Sequence, residues 1–221
     1  MAAMELILDT YTAPPDPRVP LICFDEAGKE LQADLRDPQP PTAHHPYRED
    51  PEYRRQGSAN LFLAVAPHLG WRRVLVSERR TQVEFAHAMR ALVDEDFPDV
   101  ERLIVVLDNL NTHHLSALYH TFTPSEAHRI ARKLEFRQTP IHGSWLNLAE
   151  LELSALSRQC LRRRIPDQAT LSQEVEAWVS ERNRAGIRLN WHFTCAHART
   201  KLAHLYPIPE PDTLPVTVYS A

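Results

Sequence analysis

The chain has 221 residues, of which 43% are hydrophobic and 24% charged, with a formal net charge of −4 at pH 7. This balance supports a packed core and excludes wholesale disorder, and no apolar run approaches the ~20 residues of a membrane helix. Cys23, Cys160 and Cys195 stand far apart with no C-x-x-C pair, which argues against a disulfide scaffold or a thiolate zinc site and fits a reducing cytoplasm.

In chain order, residues 1–18 read as a lead-in segment with three prolines after Leu8. Pro20–Phe24 is a short apolar run that predicts a buried strand ending at Asp25-Glu26. Gly28 is expected to turn the chain, with a second strand over Leu31–Leu35. Residues 37–56 are polar and proline-rich and read as a long loop. Ala59–Ala66 and Trp71–Val76 predict a hairpin around Pro67–Gly70. Thr81 and Glu84 have the spacing of a capping box, opening an amphipathic helix to about Asp96. Leu103–Leu107 is the strongest strand: five large apolar residues closed by Asp108-Asn109.

The second half reads as mainly helical. Thr123-Pro124-Ser125-Glu126 predicts a helix to about Lys133, Leu134–Gln138 a short strand, and Pro140 with Gly143 a turn. Helices follow over Trp145–Arg163, Leu171–Arg184 and Ala196–Leu205, before a loose, proline-broken tail over residues 208–221. Charge divides along the same axis. Residues 1–50 carry 4 basic and 10 acidic side chains, whereas residues 129–201 carry 13 and 7, densest at Arg162-Arg163-Arg164. An acidic pole suits a metal site and a basic pole a polyanion, although charge runs are also ordinary solvated helix faces.

Asp25 and Asp108 each close a predicted strand, and Glu150 falls in the first turns of a predicted helix. Two aspartates at the carboxyl ends of neighbouring strands point into one crevice, and a glutamate from a crossing helix completes three hard oxygen donors. Such a set suits Mg²⁺ or Mn²⁺. Two ions ~3.5–4 Å apart can drive an in-line displacement at phosphorus. Taken alone, the three residues also fit helix caps and solvent-facing acids.

The wording around these acids is more specific. Leu107-Asp108-Asn109-Leu110-Asn111-Thr112-His113 and His142-Gly143-Ser144-Trp145-Leu146-Asn147-Leu148-Ala149-Glu150 closely resemble the second and third acidic motifs of the IS630 family of insertion-sequence transposases, relatives of the Tc1/mariner elements. Ile22–Glu26 resembles that family's opening strand, and Gly57–Phe62, Asn190–Thr194 and Ala198–Leu202 extend the likeness over about residues 19–207.

The resemblance implies an α/β, ribonuclease H-like fold: a mixed sheet flanked by helices with an acidic triad at one edge. It implies Asp25, Asp108 and Glu150 as catalytic metal ligands for two Mg²⁺ (or Mn²⁺) ions. Asn109, Asn111, His113 and Asn147 would stand behind them. Read from the basic run itself, Arg162, Arg163 and Arg164 are either DNA-phosphate contacts or a solvated face. The resemblance further implies DNA cleavage and strand transfer on transposon ends and target DNA, by a homodimer in the cytoplasm on the nucleoid. Three features depart from the family. Leu148-Ala149 replaces the usual residues before the glutamate, and the Asp108–Glu150 stretch is long, which the Thr123–Lys133 helix accounts for. Residues 1–24 are too few and too proline-broken for the helix-turn-helix region that opens family members. The expectation is therefore a catalytic domain alone, its end-binding partner encoded separately. The alternatives are an inactive remnant that binds DNA or a partner, or a nuclease without strand transfer.

Other candidates read as structural. Glu26 faces away from Asp25 on its strand, and Glu152 lies ~200° round the helix from Glu150, so both are expected to be structural or exposed. His44-His45 and His113-His114 lack a metal frame such as H-E-x-x-H, with His113 the exception noted above. Ser144 lacks a nucleophile-elbow context. Trp145 is expected to be packed, and Arg72, Arg73, Arg79 and Arg80 could add to a DNA path.

Overall fold

The computed structural model describes residues 1–110 and 112–207. Asn111 and the tail over residues 208–221 lie outside the described residues. Five strands form one mixed sheet: β1 Leu21–Asp34, β2 Tyr53–Ala66, β3 Trp71–Ser77, β4 Leu103–Leu107 and β5 Leu134–Gln138. Their order is β3-β2-β1-β4-β5. The first three make an antiparallel meander, while β4 runs parallel to β1 and β5 parallel to β4. Seven α-helices are described: α1 Ala2–Thr12, α2 Gln82–Ala91, α3 Ser116–Thr121, α4 Pro124–Ala131, α5 Leu148–Gln159, α6 Gln168–Arg184 and α7 Cys195–Lys201. None of them is long and apolar enough to cross a membrane.

Strand alternation sorts the core into two layers. Ile22 and Phe24 of β1 pack with Phe62, Leu103, Val105 and Leu107 against α2, α3 and α4, where Phe85, Met89 and Leu118 are buried. Cys23 of β1 packs with Leu61, Leu63 and Val106 on the opposite face, against α1, α5 and α6. α2 opens with the expected capping box, Thr81 accepting from Val83 N–H and Glu84 from the Thr81 N–H, and a π turn carries it on to Asp96.

Four expectations need correction. β1 neither stops at Asp25-Glu26 nor turns at Gly28. It continues to Asp34 because β2 extends alongside it, Gly28 pairing with Asn60 and Asp34 with Tyr53, with one irregularity between Glu30 and Gln32. Cross-strand pairing here overrides the local breaker signals. Residues 2–12 of the supposed lead-in form α1, which buries Met4, Ile7, Leu8 and Tyr11; Pro14, Pro15 and Pro17 follow the helix and end it. The helix expected from Trp145 to Arg163 is shorter. Ser144–Leu146 is a 3₁₀ turn, Asn147 caps, and α5 ends at Gln159. Residues 53–56, expected at the end of the long loop, already belong to β2 and pair with β1.

One buried ion network ties the layers together. Glu152 of α5 accepts from Arg72 Nε of β3 at 2.9 Å and from Arg182 Nε of α6 at 2.7 Å, and the Arg72 and Glu152 side chains are wholly buried. Asn183 adds two bonds to the Arg72 backbone. Glu152 is thus structural, as expected, and its role is to pin two helices to the edge strand. Arg72 cannot lie on a DNA path, because its guanidinium is consumed inside the fold.

Candidate active site

The parallel pairing of β1 with β4 sets Cys23 beside Val106. Two places further along each strand direction stand Asp25 and Asp108. Alternation puts Asp25 on the face of α1 and α5, while Asp108 stands just past the end of β4, where its side chain meets the His113 ring. Asp25 is 7% exposed, and its Oδ1 accepts the backbone N–H of Glu26 at 2.7 Å. Asp108 follows the last residue of β4 and is partly open to solvent.

Glu150 enters from α5. Asn147, almost wholly buried, caps that helix by accepting from the Ala149 N–H at 3.1 Å, while its own Nδ2 donates to the carbonyl oxygen of Phe24 at 2.8 Å. The helix start is therefore fastened to the strand residue just before Asp25. The turn before it is held from the other side: Tyr11 of α1 donates its hydroxyl to the Leu146 carbonyl at 2.7 Å and accepts from the Leu148 N–H at 3.3 Å. Glu150 itself is exposed, in the first turn of α5, where a carboxylate is also favoured by the helix dipole.

The three acids share an electrostatic field. Burial foremost, then the charges of Glu150 and Asp108, push the Asp25 carboxyl up to about 7, against the lowering effect of the Glu26 N–H and of His113. Asp25 is thus an acid that a neighbouring positive charge would relieve.

His113 sits behind Asp108. Its ring is fully buried, stacked on Phe85 at 4.8 Å between centroids and edge-on to Phe24 at 5.7 Å. Nε2 lies 2.9 Å from Oε1 of Glu26, and Nδ1 lies 2.5 Å from Oδ1 of Asp108. Burial alone would lower its pKa, but the contacts with Asp108 and Glu26 prevail and push it up to about 9. Glu26, expected to be structural or exposed, is buried, with Arg80 Nε 3.5 Å from its second oxygen. Its link to His113 was missed because 87 residues separate them in the chain.

The remaining candidates divide. Asn109 is exposed on the loop after β4. Trp145 packs on one side only, against Trp191 and Phe193; the other side is open, and the residue is 48% exposed. Arg164 bonds Asp34 at 2.6 Å and lies over the Tyr53 ring, Arg163 pairs with Glu174, and Arg162 is exposed. Arg73 is bound to Glu95 and Asp96.

Among the described residues, no three His, Cys, Asp or Glu side chains converge into a ready cage for an ion. The donor chemistry nevertheless fits a hard divalent cation. Oδ1 of Asp108 is buried without an aligned hydrogen-bond donor, since the His113 contact is off the bonding direction. Asp25 beside it carries charge that its surroundings disfavour. Clustered carboxylate oxygens of this kind suit Mg²⁺ or Mn²⁺ better than softer ions.

Residues 20–172 match the family described as DDE superfamily endonuclease. Among curated proteins, none matches the chain. Among solved structures, the chain is similar to the Mos1 mariner paired-end complex with Mn, at TM-score 0.55 and 16% identity, covering 84% of this chain and 56% of that one. The Mos1 strand transfer complex is similar at TM-score 0.55 and 14% identity, with coverage of 84% and 55%. The chain thus spans a little over half the length of those proteins. At these identities the likeness is one of fold: the five-stranded mixed sheet flanked by helices is ribonuclease H-like.

Proposed function

The chain belongs to the DDE superfamily endonucleases, and from that premise we propose that it is the catalytic domain of an insertion-sequence transposase of the IS630 type. It would cleave DNA phosphodiester bonds and join the freed 3′ end to a target. The observation that supports this reading is that Asp25 and Asp108 lie at the ends of neighbouring parallel strands, while the helix bearing Glu150 is bonded through Asn147 to the residue directly before Asp25.

Asp25, Asp108 and Glu150 are the residues that would hold two Mg²⁺ or Mn²⁺ ions. When bound, such ions supply Lewis-acid polarisation of the phosphoryl group and stabilise charge on the attacking and leaving oxygens. The protein's own part is positioning. Asp25 must first give up its proton, which its raised pKa retains below about pH 7. His113 restrains Asp108, and Asn147 with Tyr11 sets where Glu150 stands. Fixed groups of this kind contribute because they need not reorganise as charge develops.

The substrates on this reading are transposon ends and target DNA, met on the nucleoid in the cytoplasm. Two ends must be joined together, which favours a homodimer, and a separately encoded helix-turn-helix protein would recognise the ends. Arg162 is the most available of the three arginines for phosphate, because Arg163 and Arg164 are paired within the chain.

The test is metal-dependent nicking of supercoiled and element-end DNA, followed by a joining assay. Nicking and joining that both vanish in Asp108→Asn support the reading. Nicking without joining favours a simple nuclease, and no metal-dependent nicking by the wild type overturns the catalytic reading in favour of a remnant.

A further inference from the structure

We propose that Glu26 is a positioning residue: through the buried ring of His113 it fixes the Asp108 carboxylate in the orientation from which Asp108 donates to a divalent cation. The inference rests on the reading of the acidic edge as a metal site and adds to it a residue on the opposite face of the sheet.

Glu26 and Asp25 are adjacent in β1 and therefore point to opposite faces. Asp25 shares its face with the core residue Cys23, and Glu26 shares the α2 face with Phe24. Whatever Glu26 does for the acidic edge must therefore pass through another group. That group is present: the His113 ring spans the end of the sheet with Nε2 2.9 Å from Glu26 Oε1, and with Nδ1 2.5 Å from the Asp108 carboxylate and 3.4 Å from the Asp108 backbone carbonyl, so it holds the residue at both its side chain and its backbone.

Asp108 needs such a restraint. It is the first residue beyond β4, whose last paired position sets Leu107 beside Gln138, so the strand ladder no longer holds it. The ring that restrains it is itself hard to move. Phe85 and Phe24 lie against its faces and edge. The His113 backbone donates to the Leu110 carbonyl at 3.0 Å and accepts from Gln138 Nε2 at 3.3 Å. The ring's remaining freedom is rotation about its own bonds, and the Glu26 contact removes it. A buried carboxylate, with its side chain only 1% exposed, is costly to keep for packing alone. Partners that orient a ligand of this kind commonly change metal affinity about 10–100-fold when removed.

The experiment uses the full chain and Mn²⁺, read by electron paramagnetic resonance of free and bound ion, with the unfolding midpoint measured on the same samples without metal. Glu26→Gln keeps an acceptor for His113 Nε2 and is expected to bind Mn²⁺ within about threefold of wild type. Glu26→Ala and the too-short Glu26→Asp are expected to bind about 10-fold more weakly or worse. In a His113→Phe background the difference between Glu26→Gln and Glu26→Ala should vanish, because the connecting nitrogens are gone.

Should Glu26→Ala fail to fold, the comparison of Glu26→Asp with Glu26→Gln decides. Mn²⁺ affinity equal to wild type in folded Glu26→Asp or Glu26→Ala, whatever their midpoints, overturns the proposal. If wild type itself binds no Mn²⁺, the metal-site reading falls and this proposal with it. That result is distinct because no variant would then differ from any other.

Discussion

The side-chain amide nitrogen of Asn147 lies 2.8 Å from the carbonyl oxygen of Phe24, so the cap of α5 is bonded to the backbone directly before Asp25. One residue thus satisfies a helix end and fastens the element bearing Glu150 to the strand bearing Asp25. Asn147→Ala removes both bonds and should cost about 1–3 kcal/mol in urea unfolding. Asn147→Ser keeps a capping oxygen and loses the tie to Phe24, so its stability should fall between those of wild type and Asn147→Ala. Metal-dependent nicking by Asn147→Ser should fall even where the variant remains fully folded.

Asp25 predicts an unusual pH response. Its carboxyl, pushed up to about 7 in the fold, holds a proton more tightly than in the unfolded chain, where it titrates near 4. Protonation therefore favours the folded state. The contribution is full in acid, declines as pH rises from about 4 to 7, and is gone above. Asp25→Asn should abolish that slope and raise stability at pH 8 by about 1–4 kcal/mol. Mn²⁺ affinity of the wild type should rise over the same window, because the ion competes with that proton. Parallel unfolding and binding series at pH 5, 6, 7 and 8 check both.

His113 gives a second window at higher pH. Its folded pKa of about 9 exceeds the ordinary value of 6.5, so the stabilisation is complete below about pH 6.5 and disappears as pH climbs through 9. The stability difference between wild type and His113→Gln should shrink across that range. The imidazole proton resonances of wild type should titrate near 9 rather than near 6.5.

Glu152 offers the largest expected single loss. Two guanidinium groups, Arg72 and Arg182, converge on its wholly buried carboxylate. Glu152→Ala leaves Arg72 charged and unpaired in the interior, at a cost of about 3–5 kcal/mol. Arg182, partly open to solvent, can turn to water, so Arg182→Met should cost less. Denaturant midpoints of the two variants at constant slope decide the order.

The amino-terminal helix is testable in the same way. Leu8 is completely buried between α1 and the sheet, so Leu8→Ala should destabilise by about 2–5 kcal/mol. A segment merely leading into the fold would tolerate the change.

How much of this was readable beforehand depends on where each signal lay. β4 was plain because five large apolar residues ended abruptly at charge. α2 was plain because Thr81 and Glu84 stood at capping distance ahead of an apolar period. Asp25, Asp108 and Glu150 were singled out from strand ends and motif wording together, and the fold brings them to one edge without closing a cage. What stayed hidden was non-local. Gly28 looks like a turn until β2 pairs across it. α1 looks loose until the sheet supplies an apolar surface for Ile7 and Leu8. Glu26 looks like a bystander because its partner is far away in the chain, and the burial of Arg72 follows from Glu152 and Arg182, which no local window around it contains.

The alternation of Asp25 and Glu26 across β1 has a consequence for how the strand can fail. A slip of one residue against β2 would exchange the faces of the whole strand. Slipped one way, Glu26 would take the place of Asp25, and Asp25 that of Phe24 against His113. The acids would remain on the strand, but the cleft and the aromatic packing behind it would each hold the wrong side chain. Such a form would keep its strands, so secondary-structure content would not reveal it, whereas the proposed Mn²⁺ binding would.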